Sequence, residues 1–308
     1  MKITTLAGGT GASKFILGLI NVVDQRDLTI IGNTGDDIEF FGLHISPDLD
    51  IVSYTIAGVV DSEKGWGRQE ETFHCLQTLS TFGYETWFNL GDKDLATHLH
   101  RTALIRQGKR LSEATASITK ALGISATILP MTNERVKTII STDAGDLHIQ
   151  EYLVKRRAQD RVTGVTLEGI EKAEPSPGMI DAILQAEGVL ICPSNPIISI
   201  GPIAAVPGVR EALKETKAKV IGVSPIVGGA PISGPAHSLM SGLGIEVSAY
   251  GVATLYQDFL DLLIIDEQDR ALRDRVESLG MKAVVTNTIM KGLEEKIELA
   301  RTAVNLLR

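Results

Sequence analysis

The chain has 308 residues, 44% hydrophobic and 22% charged, enough apolar material to bury a sizeable core. With a formal net charge of −8 it shows no basic stripe for a nucleic-acid backbone, although local amides and metal ions can still make a cleft in an acidic protein attractive to a nucleotide. Cys75 and Cys192 lie far apart without metal-ligand spacing, Met1–Leu6 reads as a strand and not as a signal peptide, and no run of 18 apolar residues occurs, so a reduced, cytoplasmic setting is expected.

Strand and helix patterns alternate from the start. Ile3 to Ala7 is an apolar run ending in Gly8-Gly9, followed by a helical stretch with Phe15, Ile16, Leu19, Val22 and Val23 at helical spacing. Leu28 to Ile31 is a second run, ending at Gly32-Asn33-Thr34-Gly35. This β-turn-α-β order belongs to a parallel sheet with crossover helices. Residues 92–122 read as two helices, with Gly108 and Gly123 as stops. Residues 127–173 turn strand-like, with a hairpin turn at Thr142-Asp143-Ala144-Gly145-Asp146.

Strands return at Gly188–Cys192, Lys219–Val223, Leu262–Ile265 and Lys282–Val285. A last helix places Ile289, Leu293, Ile297, Ala300, Val304 and Leu307 on one stripe. The expected architecture is α/β: a Rossmann-like parallel sheet from residues 1–91 and 174–308, carrying an inserted α+β subdomain at 92–173.

Ligands of such sheets sit beyond the carboxyl ends of the strands, where the informative residues of this sequence fall. Gly8-Gly9-Thr10-Gly11-Ala12-Ser13-Lys14 joins the first strand to the first helix. Glycines let the backbone approach an anion, and a helix N-terminus offers unpaired amides, so phosphate binding is favoured over a mere tight turn. It is not a Walker loop, and Lys14 stands where a dinucleotide fingerprint needs its third glycine.

Asn33-Thr34-Gly35-Asp36-Asp37 follows the second strand; its adjacent carboxylates suit Mg²⁺ or a ribose hydroxyl as well as they suit a solvated turn. Ser46-Pro47-Asp48 reads as a helix start with Asp48 as a cap; Asp50 lies beyond it and Asp61 at that helix's end. Pro193-Ser194-Asn195-Pro196 with Ser199-Ile200-Gly201-Pro202, and Ser224–Gly229 with Ser233-Gly234-Pro235, are stiff polar loops at successive strand ends. Trp66, between Gly65 and Gly67, could cover a planar ligand. His98 and His100 are two apart on a helix and make a poor metal pair, and no motif for covalent catalysis is present.

These motifs, in order, closely resemble the 2-phospho-L-lactate transferase family of coenzyme F420 biosynthesis. The resemblance covers essentially the whole chain: GGTGASK at 8–14, NTGDD at 33–37, SPDLD at 46–50, GWGRQEETF at 65–73, LGDKDLATH at 90–98, PSNPIISIGPI at 193–203 and SPIVGG at 224–229. Glu71 and Ser233 depart from it, since similar sequences often carry Asp and Lys there.

The resemblance implies transfer of a phospholactyl group from lactyl-2-diphospho-5′-guanosine, or an enolpyruvyl counterpart, to the ribityl hydroxyl of the deazaflavin Fo, with release of GMP. It also implies a homodimer. Displacement at phosphorus needs alignment and charge neutralisation more than a nucleophilic side chain. By the same resemblance, Asp50 is the catalytic residue that contacts the attacking hydroxyl, as base or through metal, and Asp36, Asp37, Asp50 and Asp61 are metal candidates for Mg²⁺. Trp66, Asn89, Asp92 and Lys93 would border Fo together with Asp50. Gly9, Thr10, Gly11, Lys14, Asn33, Ser194, Asn195, Ser199, Gly201, Gly228 and Gly229 would hold the nucleotide and its phosphates. The competing expectation is a non-catalytic regulator that binds nucleotide sugars on the same fold. The SPDLD and 90–98 segments, surplus in a pure binder, favour the enzyme.

Overall fold

The computed structural model describes residues 1–61 and 65–308. Seven strands form one parallel sheet in the spatial order Lys282–Thr286, Leu262–Asp266, Lys219–Val223, Gly188–Ile191, Ile3–Ala7, Leu28–Gly32, Thr127–Pro130. This is the expected α/β architecture. The strands are continuous apolar runs because both faces are covered. Leu6, Ile31, Val189 and Ile191 pack into the core on one side, while Ile3, Ala7, Ile30 and Leu190 pack on the other.

Strand order positions the site. From Ile3–Ala7 the chain builds outward first to one side and later, from Gly188–Ile191, to the other. Where the direction of building reverses, the loops leaving two neighbouring strands part and open a crevice. Here those loops are the one that begins at Gly8 and the one that begins at Cys192.

The segment 92–173 contains two helices, Asp92–Arg106 and Leu111–Ala121, ending before Gly108 and Gly123 as the sequence predicts. It also contains an antiparallel sheet in the order Gly145–His148, Lys137–Thr142, Val162–Glu168, with the expected hairpin pairing Thr142 with Gly145. The strand Thr127–Pro130, inside the same segment, pairs with Leu28–Gly32 and completes the central sheet. The 92–173 stretch is therefore not wholly separate from the core, because the second strand's free edge is covered by it.

The last helix runs from Leu293 to Leu307 and packs on the first, Gly9–Leu19. Its buried face is Leu299, Ala300, Ala303, Val304 and Leu307; Leu293 opens the helix and stays exposed, and Ile289 precedes it. Among the described residues no helix is long and apolar enough to cross a membrane. The two helices approach closely at Gly18, where an added Cβ would lie 2.1 Å from the Lys296 carbonyl oxygen. Since that obstacle is backbone, Gly18→Ala must push the helices apart, at about 1–3 kcal/mol for an overpacked contact. A thermal melt should show a lower Tm; an unchanged Tm would mean that the helices slide freely.

Candidate active site

Three loops meet at the crevice and are tied to one another. An added Cβ at Gly11 would lie 2.1 Å from the Pro193 carbonyl oxygen, so only glycine lets the first helix start against the Pro193 loop. The Gly9 amide donates to Asp48 Oδ1 at 2.8 Å, and Asn33 Nδ2 donates to Asp48 Oδ2 at 2.9 Å and to the Ile198 carbonyl at 3.1 Å. Asn195 Oδ1 accepts from the Ile197 and Ile198 amides at 2.9 and 3.3 Å and shapes its own loop. Asp48 is placed by the helix Pro47–Ile56, whose first turn carries both Asp48 and Asp50. Acidic groups suit that position because the helix N-terminus is electropositive.

Two cavities open on either side of this junction. One, of about 530 Å³, is lined by Gly8–Gly11, Lys14, Asp36, the Pro193–Asn195 and Ile198–Ser199 stretches, Ser224-Pro225, Ile232–Ala236 and Thr288–Lys291. The other, of about 400 Å³, is lined by Ile45, Pro47, Asp50, Ile51, Tyr54, Trp66, Gly67, Phe88, Asn89, Asp94 and His98. Gly9, Thr10, Asp48, Gln150 and Leu153 line both. A ligand in each cavity would therefore reach the other at the Gly9–Thr10 turn.

The electrostatics on the two sides differ. Burial, reinforced by the Asp48 charge, pushes the Asp36 carboxyl well above the ordinary range, and Asp36 Oδ1 is buried without a hydrogen-bond partner. Burial also raises Asp48, to about 6, against the opposing pull of the Asn33 and Gly9 hydrogen bonds. On the other side the fully buried Arg101 binds both Asp50 oxygens, with Nη1 at 3.1 Å from Oδ2 and Nη2 on Oδ1. Burial alone would depress Arg101, but the Asp50 charge and hydrogen bond outweigh it and raise it.

Arg101 Nη1 also lies 3.3 Å from His98 Nδ1, while His98 Nε2 faces Asp94 Oδ2 at 3.4 Å and the Tyr54 hydroxyl donates to Asp94 Oδ1 at 2.6 Å. Burial works to raise Asp94, yet His98, Tyr54 and Arg101 together hold it below its usual value. Asp50, Asp94 and His98 bring ligand atoms within 4.8 Å of one another, a group that could hold a divalent cation.

The structure gathers most expected residues and relocates others. Gly9, Thr10, Gly11, Lys14, Asp36, Ser194, Asn195 and Ser199 line the larger cavity, and Asp50, Trp66 and Asn89 the smaller. Asn33 lines neither; it is buried and acts by holding Asp48. Asp37 turns away, accepting from Ser46 Oγ at 2.7 Å and pairing with His44 Nε2 at 2.8 Å, beside a separate cavity. Asp61 sits in the turn after its helix, where its backbone bonds Gly65 and Gly67.

Asp92 accepts from Thr72 Oγ1 and from the His74 and Cys75 amides, capping the helix His74–Thr81, and Lys93 Nζ donates to the Gln69 carbonyl. Gly201 lies within the helix Ile200–Ala205. Gly228 donates to Asp269, and with Gly229 it forms the turn between two short strands, outside both cavities. Glu71 accepts from the Lys93 and Asp94 amides and thereby fixes the start of Asp92–Arg106. Sequence reasoning missed Asp48 as more than a cap, and it missed Asp94, His98, Arg101, Gln150 and Leu153. The i, i+4 spacing of Asp94 and His98 was the one readable signal for that pair.

Residues 3–304 match the family described as "2-phospho-L-lactate transferase CofD". The chain belongs to that family. It is 43% identical over 298 residues to the 2-phospho-L-lactate transferase of Methanosarcina mazei, covering 97% of this chain and 98% of the relative. It is 41% identical over 312 residues to the phosphoenolpyruvate transferase of Streptomyces coelicolor, covering 99% and 98%. Membership makes the chain an enzyme, a transferase. A crystal structure of a UPF0052-family protein from Bacillus halodurans aligns with a TM-score of 0.68 at 15% identity, covering 98% of each chain, a likeness of fold.

The raised Asp36 carboxyl has a consequence for stability. A carboxyl that is harder to ionise folded than unfolded destabilises the fold above its unfolded pKa of about 3.9, and the penalty fades as pH falls below that value. Asp36→Asn should therefore melt at a higher temperature than the parent at pH 8, with the gap closing towards pH 4. An equal or lower Tm at pH 8 would show that Asp36 carries no such strain.

Proposed function

We propose that this transferase moves the 2-phospho-L-lactyl group from lactyl-2-diphospho-5′-guanosine to the terminal ribityl hydroxyl of Fo, releasing GMP and forming the F420 precursor. The observation that carries this reading is the pair of cavities that meet at Gly9, Thr10 and Asp48. The larger, polar at Ser194, Asn195 and Ser199 and opening on the first helix's N-terminus, suits a guanosine diphosphate. The smaller, with Trp66, Phe88 and Tyr54, suits a flat tricycle.

In this reading the ribityl oxygen attacks the lactyl-bearing phosphorus at the junction. The new P–O bond forms as the bond to the GMP phosphate breaks, and GMP leaves with the electron pair. Asp48, raised to about 6 and reaching both cavities, takes the hydroxyl proton. Asp50 accepts hydrogen bonds from the ribityl chain, with Arg101 fixing its orientation. The Thr10 and Gly11 amides and Lys14 hold the phosphates.

The residues fit Mg²⁺. Asp36 offers a buried, unpartnered carboxylate oxygen in the nucleotide cavity, and this ion commonly needs only one or two carboxylates beside substrate phosphates. Asp50 is the less apt ligand, since both its oxygens are already engaged by Arg101. Bound there, Mg²⁺ would neutralise charge developing on the pyrophosphate. An enolpyruvyl donor is the second reading, favoured by the 41% identity to the Streptomyces phosphoenolpyruvate transferase. Supplying both donors in competition separates the two.

Incubation with Fo, donor and Mg²⁺ should yield GMP and a more anionic deazaflavin in equal amounts, and EDTA should abolish both. Asp48→Asn should slow the reaction at least about 100-fold, as expected for a lost general base; a near-parental rate removes Asp48 from the chemistry. Calorimetry tests the placement of the substrates. Asn195→Ala should weaken GDP several-fold and spare Fo, and Trp66→Ala should do the reverse. The opposite pattern would exchange the two cavities.

A further inference from the structure

The 92–173 segment contributes to the wall where the two cavities meet. Gln150 and Leu153, at and within the single π-helical turn Glu151–Lys155, are its only contributions to the lining shared by both cavities. A π-turn inserts an extra residue and re-aims the side chains around it, and such turns recur at functional sites. Two contacts anchor the turn. Gln150 Nε2 donates to the Asp36 carbonyl at 3.1 Å. Below it, Leu153 packs on a small core of Ile140, Ile149, Tyr152, Val162 and Leu239 that also takes in Ile198 from the Pro193 loop. An apolar, half-buried side chain thus lines both cavities together with Gly9, Thr10 and Asp48.

Nothing in the phosphoryl chemistry asks for an aliphatic group there. The attacking hydroxyl and a water molecule are equivalent nucleophiles, and a site able to activate one would activate the other unless water is kept out.

We propose that Leu153 is the seal that makes this enzyme a transferase and not a hydrolase. The inference rests on the reaction proposed above. With the seal opened, water oxygen attacks the lactyl-bearing phosphorus, the bond to the GMP phosphate breaks, and the products are 2-phospho-L-lactate and GMP, with the water proton taken up as the hydroxyl proton would be. Leu153 is a specificity determinant and not a proton carrier.

The test is the ratio of GMP released to deazaflavin product formed, with Mg²⁺ present. For the parent this ratio should be near one, and GMP release without Fo should be slow. Leu153→Ala should raise the ratio several-fold and speed Fo-independent GMP release, with 2-phospho-L-lactate appearing in step. Leu153→Met, which keeps apolar bulk, should restore a ratio near one. Calorimetry with GDP checks that the Ala variant still folds and binds. A Leu153→Ala enzyme that is merely slower at an unchanged ratio, or a Met variant that leaks as much as Ala, would overturn the seal. A parent enzyme that forms no deazaflavin product would overturn the reaction reading, and the seal with it.

Discussion

The site depends on one buried carboxylate. Asp48 accepts from the Gly9 amide with one oxygen and from Asn33 with the other, and Asn33 in turn reaches the Ile198 carbonyl. The ends of three central strands are thereby locked around a negative charge in a place where charge is disfavoured. A buried polar network of this kind is rigid only when each of its members is satisfied. Asp48 is satisfied; Asp36 beside it is not, since its Oδ1 has no partner. The strain is tolerable because a folded domain has stability to spare elsewhere, here in two continuous cores on either face of the sheet.

Arg101 solves a second problem. Asp50 and Asp94 lie close enough to share a cation with His98, yet a cluster of buried carboxylates would repel itself apart. A guanidinium bound through both Nη atoms to Asp50 gives that side of the site a fixed, desolvated counter-charge. Removing either partner would leave the other buried and uncompensated, typically a loss of about 3–5 kcal/mol. The two halves of the site therefore differ: one carries an unpartnered carboxylate oxygen on Asp36, and the other a carboxylate gripped through both oxygens by a guanidinium.

The 92–173 segment joins these halves to the fold. Its edge strand Thr127–Pro130 extends the central sheet, its helix Asp92–Arg106 supplies Asp94, His98 and Arg101, and its π-turn lines the junction. That helix is started by Glu71, which accepts from the Lys93 and Asp94 amides. The Glu71 carboxylate thus has a clear structural role at the amide-rich end of a helix.

How much of this was legible in advance follows from the range of the forces involved. The strands at 3–7, 28–32, 188–191, 219–223, 262–266 and 282–286, the helix starts near Gly9, Pro47 and Asp92 and the 142–145 hairpin were readable, because periodicity and turn chemistry act within a few residues. The glycine loop at 8–11 was readable for the same reason: a helix beginning at a strand end has few uses for so many glycines. Which of many aspartates matter was not. Asp36 and Asp37 are neighbours in sequence, yet one lines the larger cavity and the other is bound by His44 and Ser46 on the far side of the turn. Asp92 and Asp94 divide likewise between a helix cap and the cavity wall. His98 looked inert beside His100 because its partner Asp50 is distant in the chain, and Arg101 carried no local signal at all. Local propensity determined the elements and the family motifs; only the packing of those elements decided which charges were desolvated together, because burial and Coulomb energy depend on distance in space.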